Sequence, residues 1–168
     1  MWPWGHLAVA YLALAGFEWH RDREPTIGVT AVALVGSQLP DLIDKPLAWT
    51  LDVLPVGRSL AHSVVVLAPL IAVVAILAGR RHRRVVVAGT LGIGSHLGAD
   101  GLGGILAGEF GELSYLGWPL LDPPTYTVDQ SFLAHLLAME LTPLFVLQGL
   151  LVAVALAVWA HSRREGLG

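Results

Sequence analysis

The sequence has no cysteine, one lysine and few charged residues of either sign. Without cysteine, disulfides and thiolate metal sites are excluded, and the redox compartment cannot be read from the chain. Charged residues make up 14% of the 168, whereas an average soluble domain has about 25%. The net charge of −3 provides no basic field, so direct binding to nucleic acid is not expected.

Hydrophobic residues make up 55% of the chain, and the mean hydropathy is +0.66. Since about 20 apolar residues cross a bilayer, the apolar runs predict an all-α, polytopic membrane bundle of about five transmembrane helices in one domain over residues 1–168. Pro40 is expected to end the second span. The predicted spans are Trp4–Phe17, Ile27–Leu39, Ser63–Ala78, Val85–Leu106 and Leu141–Ala160.

Cationic residues predict the topology of these spans. If the five helices alternate, eight of the ten lysines and arginines fall on one face, and only Lys45 and Arg58 fall on the other. By the positive-inside rule the protein is a multi-pass cell-membrane protein with its N-terminus outside and its C-terminus in the cytoplasm. Residues 107–131 are then an extracytoplasmic loop. The eight cations are Arg21, Arg23, Arg80, Arg81, Arg83, Arg84, Arg163 and Arg164.

Ionisable residues from separate segments meet at one depth in this topology. Charged groups and imidazoles at the edge of apolar spans are costly, and they indicate a functional site. The topology brings them to the outer face, so a site on the extracytoplasmic side is expected. The residues are His6, Asp41, Asp44, His62, His96 and Asp100.

His96 and Asp100 are four residues apart, so they share one face of a helix. Imidazole together with carboxylate suits zinc, manganese or iron, and a hydrogen-bonded structural pair is the alternative. Gly94 and Gly98 on the same span form a small-xxx-small pair that predicts close helix contact.

Asp41 and Asp44 follow Pro40, where aspartate is common in turns and caps. Two carboxylates three residues apart also bind metal ions or divide into a ligand and a general base. Asp41 is the predicted ligand, and Asp44 is a ligand or a base. His62 precedes a span, and its neighbour Ser63 is a candidate N-cap as well as a residue near the site.

His135 and Glu140 lie near the outer end of the fifth span. Their spacing of five places them about 140° apart on a helix, so they cannot share a face as an i, i+4 pair does. We expect them to support the site or to face a substrate rather than to bind a metal.

Five motifs occur in a fixed order, namely His6, Leu39–Asp44, Gly57–Ser63, Ser95–Asp100 and Trp118–Leu120. This ordered set resembles the YdjM-type family, some of whose members are described as LexA-binding inner-membrane proteins, and the resemblance implies a membrane-bound, metal-dependent hydrolase. This family is distantly similar to zinc-dependent phospholipase C, an all-helical enzyme whose zinc ligands are histidine and aspartate. The resemblance implies that His6, Asp41, His62, His96 and Asp100 are metal ligands.

The chain departs from these patterns in two ways, one from the family and one from the phospholipases. Relatives often carry His-Arg-Gly-x-Thr-His-Ser, whereas this chain has Gly57 and Arg58 without the first histidine, and Ala61 in place of threonine. The His-x-x-x-Glu pair of the phospholipases is matched only by His135 and Glu140, which are one residue too far apart. Fewer ligands favour one or two metal ions over three, or else a site that no longer catalyses.

The predicted function is that of a membrane-bound metal-dependent hydrolase. A divalent ion, zinc or else manganese, would activate a water against a phosphoester or lipid-derived substrate. Asp44 would accept a proton or orient the water, and Arg58 would hold an anionic group. The alternative is a non-catalytic membrane protein in which the same residues form a structural metal site or a polar network, and which acts through a partner.

Overall fold

A computed structural model describes residues 1–124, 131–137 and 139–165, apart from the side chains of His135 and Glu165. These residues contain helices and no β-strand, which confirms the prediction of an all-helical fold. The α-helices are α1 (Pro3–Trp19), α2 (Ile27–Trp49), α3 (Val64–Ala78), α4 (Arg83–Ala107), α5 (Phe132–Leu137) and α6 (Pro143–Glu165). Short 3-10 helices cover Arg80–His82 and Phe110–Gly117.

Three segments are long and apolar enough to cross a membrane, and α3 is a shorter apolar helix. The three are Ile27–Trp49, Arg80–Ala107 and Pro143–Arg164. Many large apolar side chains of these helices are exposed, including Ile76 and Leu77 at 78% and 81%. Lipid is the environment in which such surfaces are stable, so the described helices form a membrane bundle.

Two helices, α2 and α3, begin directly after a polar capping residue, as the sequence indicates. Thr26 Oγ1 accepts a hydrogen bond from Val29 N at 3.4 Å, and α2 starts at the next residue, Ile27. Ser63 is the N-cap of α3, as predicted, because its hydroxyl accepts a bond from Val66 N. These caps satisfy amides that the first helical turn leaves without partners.

The expected end of the second span at Pro40 is wrong, because α2 continues to Trp49 with Pro40 and Pro46 inside it. A proline removes one intrahelical hydrogen bond, yet interactions beyond Pro40 hold the helix. Asp41 Oδ2 pairs with Lys45 Nζ at 2.6 Å, one turn further on. Asp41 and Asp44 therefore lie on one helix face, three residues apart, rather than in a turn.

The described chain divides into two compact units. Unit 1 comprises residues 1–38, 87–99 and 140–168, and unit 2 comprises residues 39–86 and 100–139. The single domain predicted over 1–168 stays a prediction.

Within unit 1, α1 and α6 run in the same direction. The backbone amide of Trp2 donates to Gln148 Oε1 at 2.8 Å, and the rings of Trp4 and Phe145 lie 5.9 Å apart. Further along both helices, Ala15 and Ala155 share one buried cluster. Parallel helices must cross a membrane in the same sense.

The unit 1 part of α2 runs antiparallel to α1 and parallel to α4. Gln38 Nε2 donates to the carbonyl of Pro3 at 3.3 Å, so the far end of this part lies at the start of α1. Leu14, Val29 and Ala88 pack in one buried cluster. The directions of these four helices agree with the alternation expected of consecutive spans.

Glycines bring α2 and α4 into backbone contact within unit 1. A β-carbon on Gly92 would lie 2.1 Å from the carbonyl oxygen of Ala33, and one on Gly36 would lie 2.8 Å from that of Gly89. The close contact predicted at Gly94 and Gly98 is wrong, since a β-carbon there meets nothing within 4 Å. The contact occurs two residues before Gly94, on another face of α4.

Within unit 2, α3 packs against the 3-10 helix of the predicted extracytoplasmic loop. The Ser63 hydroxyl donates to the carbonyl of Trp118 and lies 3.4 Å from that of Leu116. Tyr115 is 1% exposed. The loop is therefore folded where it is described, and residues 125–130 lie outside the described part.

Candidate metal centre

The site is organised around His62, which is fully buried just before α3. Its Nδ1 lies 2.8 Å from Asp44 Oδ2. Its Nε2 lies 3.6 Å from Asp41 Oδ1 and 3.8 Å from Asp100 Oδ2. One nitrogen thus holds the ring in place, and the other faces two carboxylates.

The carboxylate of Asp44, also fully buried, fixes the loop that carries His62. Oδ2 accepts the backbone amide of Ser59, and Oδ1 accepts that of Ala61, both at 2.8 Å. Since a carboxylate only accepts, the nearby Nδ1 of His62 carries a proton. The lone pair that can bind a metal is therefore on Nε2.

His62 lies outside the membrane-spanning helices, and its pKa is raised above the ordinary histidine value. Burial acts to lower the pKa, but the carboxylates of Asp41 and Asp44 and the charge of Asp100 outweigh it. The negative field that stabilises an imidazolium here would equally stabilise a divalent cation.

His96 is fully buried on α4, one turn before Asp100. Its Nδ1 lies 2.6 Å from the carbonyl oxygen of Ser37. A carbonyl can only accept, so Nδ1 carries the proton and Nε2 the lone pair. This is the arrangement typical of metal-binding histidines, in which a carbonyl or carboxylate orients the ring.

Asp41, His62, His96 and Asp100 each offer one ligand atom, and these atoms lie within 4.8 Å of one another. Two imidazoles and two carboxylates match the donor types that bind zinc. Each histidine also has an oxygen partner at Nδ1, Asp44 for His62 and the Ser37 carbonyl for His96, as metal-binding histidines usually do. This group could therefore hold a metal ion.

His6 is buried and stacks on His96, with ring centroids 3.8 Å apart and an angle of 18° between the planes. It is not one of the four residues whose ligand atoms lie together. Its role as a ligand stays a prediction, and its stacking contact packs the His96 ring.

Arg58 lies beside the group. Its Nε pairs with Asp100 Oδ2 at 3.0 Å, and its guanidinium lies 5.7 Å from the centre of the Tyr115 ring. The Arg58 side chain is 30% exposed, whereas that of Asp100 is 3% exposed. The Arg58 guanidinium can therefore contact solvent while it pairs with Asp100, a predicted metal ligand.

The remaining predicted site residues are Ser63, His135 and Glu140. Ser63 is used as a helix cap and in contacts to the backbone near Trp118. Glu140 is exposed in the segment before α6. His135 belongs to α5, but its side chain lies outside the described part. Sequence reasoning missed the carbonyl of Ser37, which no side-chain pattern could reveal.

The fold and this group define a class: a helical membrane protein that carries a buried histidine and aspartate cluster with the donors of a metal site. The chain belongs to the YdjM inner membrane protein family, whose model matches residues 1–167. The predicted family is thereby confirmed. No curated protein and no solved structure matches the chain, and the likeness to phospholipase C stays a prediction.

Proposed function

We propose that the protein is a membrane-bound, metal-dependent hydrolase that acts on a phosphoester of a lipid or a lipid-like molecule. The observation that carries the proposal is the convergence of two imidazoles and two carboxylates within 4.8 Å. Asp41, His62, His96 and Asp100 would hold one divalent ion, with zinc the best match to the donors. Such an ion, when bound, lowers the pKa of a coordinated water toward neutrality.

Asp44 acts in this proposal as a positioning residue. Its two oxygens are engaged by two backbone amides and by His62 Nδ1. A base needs an oxygen directed at the reacting water, so these contacts favour an orienting role over the predicted base role. The carboxylate keeps His62 Nε2 directed at Asp41 and Asp100.

Arg58 would hold the anionic part of the substrate. The guanidinium is the donor that best fits a phosphate, because its planar fork makes two parallel hydrogen bonds. It is partly exposed while it contacts Asp100. A substrate phosphate could therefore reach Arg58 from solvent at the edge of the cluster, next to Asp100.

The site location and the substrate class belong to the same proposal. The alternation of helices in unit 1 and the distribution of arginines support an outer, extracytoplasmic site. At that depth, lipid headgroups are the most abundant phosphoesters.

The test is a pair of measurements on the full-length protein in detergent. Metal is removed with a chelator, and zinc binding is measured by calorimetry for the wild type, for His96→Gln with Asp100→Asn, and for the control His161→Gln. We expect one zinc per chain in the wild type and the control, and at least a 100-fold weaker affinity in the double variant, about 2.7 kcal/mol.

Hydrolysis of a chromogenic phosphodiester and of a short-chain phospholipid is then measured with zinc restored. Turnover that follows metal content across the three proteins supports the proposal. Equal, negligible metal in all three proteins would overturn it.

A second candidate is a structural metal site or polar network without turnover. It is favoured by the number of protein ligands in the group, since structural zinc sites take four protein ligands and leave no position for a water. In that case zinc would raise the melting temperature of the wild type, and no phosphoester would be hydrolysed.

A further inference from the structure

A groove separate from the metal cluster lies in unit 1, along α1, α2 and α6. It consists of an apolar cavity of about 370 Å³ and a more polar one of about 390 Å³. The two cavities share lining residues, so they adjoin each other along the groove. The shared residues are Tyr11, Thr30, Leu34 and Trp159.

The apolar part follows the parallel helices α1 and α6. It runs from Trp4 to Tyr11 on α1 and from Val152 to Trp159 on α6, which is about 10 Å at 1.5 Å per residue. Ala155 forms part of its wall. An apolar groove along two helices of a membrane protein suits part of an acyl chain.

The polar part lies where α1 and α6 end and α2 begins. Glu24, Ser162 and Arg163 line it. The Arg163 guanidinium lies 5.7 Å from the centre of the Trp159 ring. Among the described residues, Arg163 makes no ion pair with a carboxylate.

Both signs of charge therefore line the same cavity. Arg163 offers a donor fork for a phosphate, and Glu24 offers a carboxylate whose Oε1 already accepts a bond from Trp19 Nε1 at 3.0 Å. An anionic headgroup would satisfy Arg163 but be repelled by Glu24. A headgroup with a phosphate and a primary ammonium complements both.

We propose that this groove is a binding site for a zwitterionic aminophospholipid. Arg163 contacts the phosphate, Glu24 contacts the ammonium, and one acyl chain lies between α1 and α6 as far as Trp4. The site is independent of the metal cluster and of the proposed hydrolase activity.

The test uses native mass spectrometry of the full-length protein with phosphatidylethanolamine, phosphatidylglycerol and phosphatidylcholine of identical acyl chains. Wild type is expected to bind the ethanolamine lipid about tenfold more tightly than either of the others, because one charge-assisted hydrogen bond distinguishes them. Equal affinities for the three lipids would overturn the proposal.

Single variants assign the contacts. Glu24→Gln should lose the preference for ethanolamine, and Arg163→Gln should weaken all three lipids. Arg164→Gln is the matched control, because Arg164 does not line the groove, and it should bind like the wild type. An equal effect of Arg163→Gln and Arg164→Gln would show a non-specific charge effect and reject the site.

Ala155→Phe provides a test that leaves the headgroup contacts in place. The larger side chain should fill the apolar part and weaken all three lipids, with zinc affinity unchanged. Melting temperature and circular dichroism establish that each variant is folded. Wild-type lipid binding by folded Ala155→Phe would reject the acyl-chain position.

Discussion

Asp44 Oδ2 and His62 Nδ1 lie 2.8 Å apart, and both side chains are fully buried. The same carboxylate holds two backbone amides of the loop between α2 and α3. The proton on Nδ1 and the direction of Nε2 are therefore set by a residue that need not touch a metal. Loss of Asp44 should affect both the loop and the metal affinity.

Asp44→Asn should lower zinc affinity about 10- to 100-fold, the usual effect of removing a buried partner of a metal-binding histidine. The amide group brings an N–H toward donors that need an acceptor, so the melting temperature should fall as well. Calorimetry and thermal unfolding measure the two effects. Asp52→Asn is the matched control, because Asp52 is exposed, and it should change neither quantity.

Arg58→Gln should strengthen zinc binding. The guanidinium pairs with Asp100 Oδ2 at 3.0 Å, so its removal leaves the cluster more negative and frees a ligand oxygen. If the proposed hydrolysis takes place, the same change should raise KM for the phosphoester. Arg58→Lys keeps the charge and should keep the wild-type zinc affinity. Weaker zinc binding by Arg58→Gln would contradict this electrostatic account.

Ser63→Ala should destabilise the protein without altering the metal site. The hydroxyl caps α3 and bonds to the backbone near Trp118, and loss of a cap costs about 1 kcal/mol. Chemical unfolding in detergent measures the loss, and Ser63→Thr should retain most of the stability. A collapse of turnover with unchanged stability would instead indicate that Ser63 acts at the site.

Gly92→Ala should separate α2 from α4, because the new β-carbon would lie 2.1 Å from the carbonyl oxygen of Ala33. Gly94→Ala meets nothing within 4 Å, and alanine is the better helix former by about 0.8–1 kcal/mol. The first variant should therefore melt at a lower temperature than the wild type and the second should not. Equal melting temperatures would mean that the helices are not in contact there.

The absence of native cysteine permits a direct test of topology. Glu112→Cys lies in the described part of the predicted extracytoplasmic loop, and His82→Cys lies in the arginine-rich turn before α4. A membrane-impermeant maleimide on intact cells should label the first and not the second. In permeabilised cells both cysteines should be labelled. The reverse pattern would place the N-terminus in the cytoplasm.

Much of the fold follows from hydropathy, because apolar runs decide where helices form in a membrane. A predicted helix end is wrong where tertiary contacts override a local sequence signal. Pro40 is a helix-stopping signal by itself, yet the contacts of Asp41 and Asp44 continue α2 to Trp49. The small-residue pattern predicts that glycines pack, but the pattern cannot tell Gly92 from Gly94, since the angle at which two helices meet decides it.

The candidate metal ligands were predictable because spacing and membrane depth are both readable from the sequence. Asp41, His62, His96 and Asp100 come together in this way. The division of roles between Asp41 and Asp44 was not predictable. Asp41 and Asp44 look equivalent in the sequence, and only the backbone amides of the following loop show that Asp44 is the one that orients His62.

The pairing of α1 with α6 has a consequence for biogenesis. The ribosome makes α6 after all the other described helices, so the amide of Trp2 and the side chain of Gln148 meet only then. At bacterial and eukaryotic translation speeds, the newly inserted α1 stays without this neighbour for on the order of ten seconds. During that interval its inner face is in contact with lipid or with the insertion machinery, and the groove along α1, α2 and α6 lacks the wall that α6 provides.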